Sequence, residues 1–193
     1  MPRGKLDLYA KHKADYAAPR KPILLTMARA RYLAIAGSGR PPNPEFDAAI
    51  GALYNVAFTV KMARKFAGRD YTVSKLEGLW PGVPPKPWRW QLLIRVPSFI
   101  TAAEVRRAIA GLIARGKPRT VAEVKLISLA EGRCVQMLHV KPYDQEEPTL
   151  EQMRTHAIEQ GTRTRGVHHE IYLSDPRRVP PERLRTILRV LVR

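Results

Sequence analysis

The strongest constraint on the fold is the order in which apolar spacing changes along the chain. An apolar segment begins at 22–27, and 31–36 reads as a strand ending at the turn Gly37-Ser-Gly-Arg-Pro-Pro. Asn43-Pro44 supplies an N-cap and a first-turn proline, and Phe46, Ile50, Leu53, Ala57 and Val60 follow at helical spacing up to Gly68. Two strands are expected next, at 71–80 and 88–96, separated by the proline-rich turn 81–87. In the second, Trp88, Trp90, Leu92 and Ile94 alternate with Arg89, Gln91, Leu93 and Arg95, so one face is apolar. Thr101 and Glu104 form a capping box ahead of a stripe of Val105, Ala108, Ile109, Leu112 and Ile113. A hairpin is expected at 121–130 and 133–140 around Glu131-Gly132. A helix opened by a box at Thr149–Gln152 and stopped at Gly161 follows, then a strand around 166–173. A last helix starts at Pro180-Pro181-Glu182, with Leu184, Ile187, Leu188 and Leu191 on one side.

This order predicts an α+β fold: duplicated strand-helix-strand-strand units forming two antiparallel sheets with a ligand cleft between them. Residues 1–22 read as a basic N-terminal arm, and 23–193 as one domain with pseudo-repeats at about 23–97 and 98–193. The formal charge is +17, with the excess concentrated at residues 1–40 and 161–193. Such a charge attracts polyanions. The aromatics are not interleaved with the basic clusters, however, and no helix-turn-helix or RNA-binding motif occurs, so specific nucleic-acid binding ranks behind small-molecule binding. The single Cys134 excludes an intrachain disulfide, and no apolar run reaches membrane-spanning length. The polar first residues show no apolar leader, so a cytoplasmic location is the default expectation.

The run Gly-Val-His-His-Glu-Ile-Tyr-Leu-Ser-Asp-Pro-Arg-Arg at 166–178 carries the densest chemistry. Alternation places Val167, His169, Ile171 and Leu173 on one face, suited to packing under a helix. His168, Glu170 and Tyr172 take the other. A metal site needs a third ligand, for which only His139 is remotely placed, so neither a metal nor a cofactor is expected. Spacing leaves two readings of Glu170 open: a wet-face carboxylate, or a partly desolvated carboxylate lining a cleft. In Leu76-Glu-Gly-Leu-Trp80, Glu77 and Leu79 share one face while Gly78 and Trp80 share the other. Trp80, Trp88 and Trp90 either pack in the core or wall a site for flat ligands. Tyr143 either packs on the following helix or faces the same cleft as Glu170.

Taken in order, Ala48-Ala-Ile-Gly-Ala-Leu-Tyr54, Phe58-Thr-Val-Lys61, Leu76-Glu-Gly-Leu-Trp80, Gln136-Met-Leu-His139, Pro142-Tyr-Asp144 and His168-His-Glu-Ile-Tyr-Leu-Ser-Asp-Pro-Arg-Arg178 resemble the GyrI-like small-molecule-binding superfamily. The likeness is to its stand-alone branch, which includes cyclopropanoid cyclohydrolases. It implies a cleft between two sheets with Glu170 as the central glutamate. Glu170 and Tyr143 are the implied catalytic residues, and Tyr54, Glu77, Trp80, Trp88, His168 and Tyr172 line the ligand. The implied partner is a hydrophobic or planar, often cationic, small molecule. The implied activity is hydrolysis of strained planar genotoxins, or non-catalytic sensing and sequestration in the same cleft. Two departures touch the cleft rim: Pro81 follows Trp80 where relatives carry a second aromatic, and Lys141-Pro142 replaces a glycine-containing turn.

Overall fold

The structure, a computed structural model, describes residues 4–80 and 88–193; the turn expected at 81–87 lies outside the described residues. In chain order the elements are α1 (Leu8–Lys11), β1 (Ile23–Met27), β2 (Ala30–Ser38), α2 (Pro44–Phe66), β3 (Leu76–Trp80), β4 (Arg89–Val96), α3 (Ala102–Ala114), β5 (Lys125–Leu129), β6 (Gly132–Val140), α4 (Glu147–Glu159), β7 (Thr164–Tyr172) and β8 (Arg185–Val192). The strand-helix-strand-strand order occurs twice, as β2-α2-β3-β4 and β6-α4-β7-β8. The preceding strands match as well. β1 and β5 each have 5 residues, β2 and β6 each have 9, and β4 and β8 each have 8. The architecture is α+β with antiparallel pairing throughout the assigned strand pairs.

The chain divides into two compact units. Among described residues the first holds 4–12, 30–76 and 88–129. Its strands run β4-β2-β5, and α2 packs on β2, β4 and α3. The expected caps form. Asn43 accepts from the Phe46 N–H at 2.9 Å, and Thr101 and Glu104 close a reciprocal capping box. Ala49, Ala52, Leu53, Val56, Ala57 and Val60 are the buried residues of α2.

The second unit holds 13–29, 77–80 and 130–193, with strand order β1-β6-β8-β7-β3. Met153 and Ala157 of α4 pack on Val135, Met137, Leu188, Val190 and Val192. Met153 is fully buried, so truncating it to alanine costs roughly 2–5 kcal/mol. The opposite face is met by residues 13–17, whose backbone carbonyls at Asp15 and Ala17 accept from Gln136 and Arg189.

Three expectations are overturned. The last helix is a short 3-10 turn at Pro181–Arg183 followed by β8. Thr186 to Val190 are all buried, because both faces of this strand are covered, and a doubly covered strand shows no alternation. The expected hairpin does not form: β5 pairs with β2, and β6 with β1 and β8. Finally, α4 starts at Glu147, and Thr149 is not its cap; its hydroxyl is turned to His139 at 2.9 Å.

Candidate functional site

The site is built on β7. Directly paired residues of antiparallel strands share a face. Glu170 is paired with Gly78 on one side and Leu188 on the other, and His168 with Trp80 and Val190. Since Leu188 and Val190 pack on α4, the face carrying His168, Glu170 and Tyr172 is the helix-covered one. This reverses the expectation that Val167, His169, Ile171 and Leu173 would lie under a helix.

On the α4 side, Glu170 is only 6% exposed and Glu146, entering from the turn before α4, only 7%. The His168 Nε2 lies 2.8 Å from Glu170 Oε1 and 4.0 Å from Glu146 Oε2. Tyr172 donates its hydroxyl hydrogen to Glu170 and accepts from Trp80 Nε1 at 3.1 Å. Gly78 makes this approach possible, since a Cβ there would stand 2.8 Å from Tyr172 Oη and 2.9 Å from Trp80 Nε1. Tyr143 meets Tyr172 edge-on with centroids 5.6 Å apart. The turn before Tyr143 is held by His139. Its Nε2–H donates to the Pro142 carbonyl at 3.2 Å, so its Nδ1 accepts from Thr149.

Burial first, then the charge of Glu170 and a hydrogen bond with it, push the Glu146 carboxyl up to about 10. The two carboxylates therefore hold one proton between them at neutral pH. Burial, reinforced by the charges of Glu170, Glu146 and Asp175, raises Tyr143 to about 12. Burial of the hydroxyl and the neighbouring Glu170 raise Tyr172 as well. Both phenols are held as neutral hydrogen-bond donors.

The other face of β7 is a closed network. His169 is fully buried between Glu131, 2.9 Å from Nδ1, and Glu77, 2.9 Å from Nε2. Glu77 lies within ion-pair distance of the ring and adds to the pull of Glu131 on its proton. Arg189 donates to Glu131 at 2.6 Å, to Gln136 at 2.7 Å and to the Asp15 carbonyl at 2.7 Å. Burial alone would lower His169, but the two carboxylates outweigh it and raise it. Burial likewise opposes ionisation of Glu131, yet His169 and Arg189 bring it down to about 2. His169 is thus an ion-paired centre and not simple packing.

A sequence profile of the GyrI-like small molecule binding domain matches residues 96–193. A hydrolase encoded by lin2189 from Listeria innocua shares 32% identity and superposes with a TM-score of 0.91, covering 98% of this chain and 100% of its own. The chain belongs to the GyrI-like family. A second hydrolase from Listeria innocua, at 33% identity and a TM-score of 0.90, covers the same shares of both chains. The EcmrR C-terminal domain shares the fold at 11% identity and a TM-score of 0.58, over 90% of this chain and 97% of its own. No curated protein matches in sequence. GyrI-like domains bind small molecules, and among the described residues no helix is long and apolar enough to cross a membrane.

Within this GyrI-like chain, Glu170, His168, Tyr172, Trp80 and Tyr143 come together in the second unit. Glu77 lies there too, but on the opposite face, fully buried against His169. Tyr54 and Trp88 belong to the first unit. Tyr54 stacks on Phe58 along α2 and lines a groove of about 480 Å³ with Asn55, Met62 and Arg115. Trp88 is 37% exposed beneath the Arg40 guanidinium, 5.9 Å from its ring centre. Sequence reasoning missed Glu146, which reads as an ordinary acidic first turn of a helix. It also missed Arg189, which the helical reading of residues 181–193 left off the apolar stripe.

Proposed function

We propose that this chain binds a planar, hydrophobic electrophile, of the strained cyclopropanoid type, and hydrolyses it. The supporting observation is the buried Glu146–Glu170 pair, placed beside Tyr143, Tyr172 and Trp80. In such a site Glu170 takes a proton from water as the water oxygen bonds to the ring methylene. The ring carbon–carbon bond breaks, and its electron pair moves into the conjugated carbonyl oxygen. Glu146 gives its proton to that oxygen, so each turnover returns the pair to one proton. Tyr143, too weak an acid to give up its own proton, stabilises the developing charge by hydrogen bonding. Trp80 supplies a flat apolar wall, and the net negative charge of the pair suits ligands carrying positive charge.

The test is conversion of a spirocyclopropyl dienone, followed by loss of the dienone absorbance and gain of one water in mass. Glu170→Gln should retain dye-displacement binding and lose roughly 10²–10⁴-fold in turnover. Unchanged turnover in that variant removes Glu170 from the chemistry. Binding without conversion by the unaltered protein instead assigns a non-catalytic sensing or sequestering role.

A further inference from the structure

A second property of this site follows from its donor atoms and does not depend on the hydrolysis reading. One donor atom each from Glu146, His168 and Glu170 lies within 4.8 Å of the other two. Glu146 Oε1 is buried with no hydrogen-bond partner, although its side chain is more than nine-tenths buried. A buried carboxyl oxygen left without a partner can be met by a cation, which would displace the proton that Glu146 otherwise holds. Around a four-coordinate zinc ion with bonds of about 2.0–2.2 Å, ligand atoms stand roughly 3.3–3.5 Å apart. The His168 Nε2 contacts, at 2.8 Å to Glu170 and 4.0 Å to Glu146, bracket that spacing, so the ion needs only small side-chain shifts.

We infer that Glu146, His168 and Glu170 form a divalent metal site of the zinc type, with three protein ligands and one open position. One imidazole nitrogen and two carboxylate oxygens suit zinc and its first-row neighbours better than calcium or magnesium. Two carboxylates and a neutral imidazole also cancel the charge of a divalent ion. The neighbouring histidine on the same strand shows what excludes a metal. The two carboxylates around His169 sit at opposite ring nitrogens, and Arg189 already supplies a positive charge there. A metal bound at Glu170 would occupy the oxygen that the proposed chemistry uses, so zinc would act as an inhibitor competing with ligand.

The experiment titrates the intact protein with Zn²⁺ alone by calorimetry, and with Co²⁺ followed by its visible spectrum. The expected result is one ion per chain, with micromolar binding weakened at least tenfold in both His168→Ala and Glu146→Gln. His156→Ala, which removes the imidazole 4.0 Å from Glu159 on α4, should leave binding unchanged. Thermal melts of each variant establish that the fold persists. If His168→Ala does not fold, Mn²⁺ broadening of the His168 ring resonances in the unaltered protein identifies the same ligand directly. No binding at millimolar Zn²⁺, equal affinity in folded Glu146→Gln, or broadening confined to other histidines would overturn the site. Zinc binding can succeed where hydrolysis fails, and the reverse, so the two readings stand or fall separately.

Discussion

Glu170 and His169 are neighbours on one strand, yet their two faces handle buried charge in opposite ways. The His169 face is compensated: two carboxylates, Glu77 and Glu131, meet an imidazole whose proton they favour and the Arg189 guanidinium. The Glu170 face is not. Two carboxylates there share one proton and face only tyrosines, a tryptophan and His168. Balanced charge holds β7 in place, while the unbalanced pair keeps a proton available and an oxygen unsatisfied. Stability is concentrated on one side of the strand and reactivity on the other.

The largest effect should come from unbalancing the first face. Arg189→Met leaves Glu131 buried without its guanidinium and should cost roughly 3–5 kcal/mol, read from the shift in urea midpoint. A loss below about 1 kcal/mol would mean that the network contributes little. The pH profile comes next. His169 is raised in the folded state, so its contribution is full below its unfolded value near 6.5 and fades as pH rises past it. Glu146 is also raised, so folding loses stability as pH climbs from 4.5 toward about 10. Glu131 is lowered, so its contribution is present above 4.5 and lost as pH falls toward about 2. Thermal melts should therefore peak in mildly acidic buffer and decline on both sides. A profile that rises steadily to pH 9 would contradict both raised groups.

A smaller effect is expected at Gly78. Gly78→Ala drives a methyl against Tyr172 and Trp80 and should cost about 1–3 kcal/mol while weakening ligand binding. The smallest effect has the opposite sign. Glu146→Gln removes an ionisable group from a site that disfavours its charge. It should raise stability by about 1 kcal/mol, some 2–4 °C, and flatten the alkaline limb, while turnover drops. If Glu146→Gln were as destabilising as Arg189→Met, the contrast between the faces would be lost.

The sequence carried this architecture wherever one face of an element meets solvent. The caps at Asn43 and Thr101 and the stripe on α3 are local signals, and the elements follow them. It failed at β8, where α4 and residues 13–17 cover both faces and Ile187, Leu188 and Leu191 happen to fall at helical intervals. It also failed for the hairpin, because Glu131-Gly132 permits a reversal but cannot specify which strands will pair. Parity along β7 correctly separated His169 from His168 and Glu170. What parity could not show was the third member: Glu146 lies 24 residues from Glu170, and only the packing of α4 on β8 brings the two together.

The pairing of β1 with β6 has a consequence for how the chain is made. Residue 23 registers with residue 136, and the second unit draws on segments near 13–29, 77–80 and beyond 130. Such distant pairings make folding slow, and they leave β1 without its partner until most of the chain has left the ribosome. The Glu146–Glu170 pair likewise depends on late pairings, because β8 carries the surface on which α4 packs beside β7.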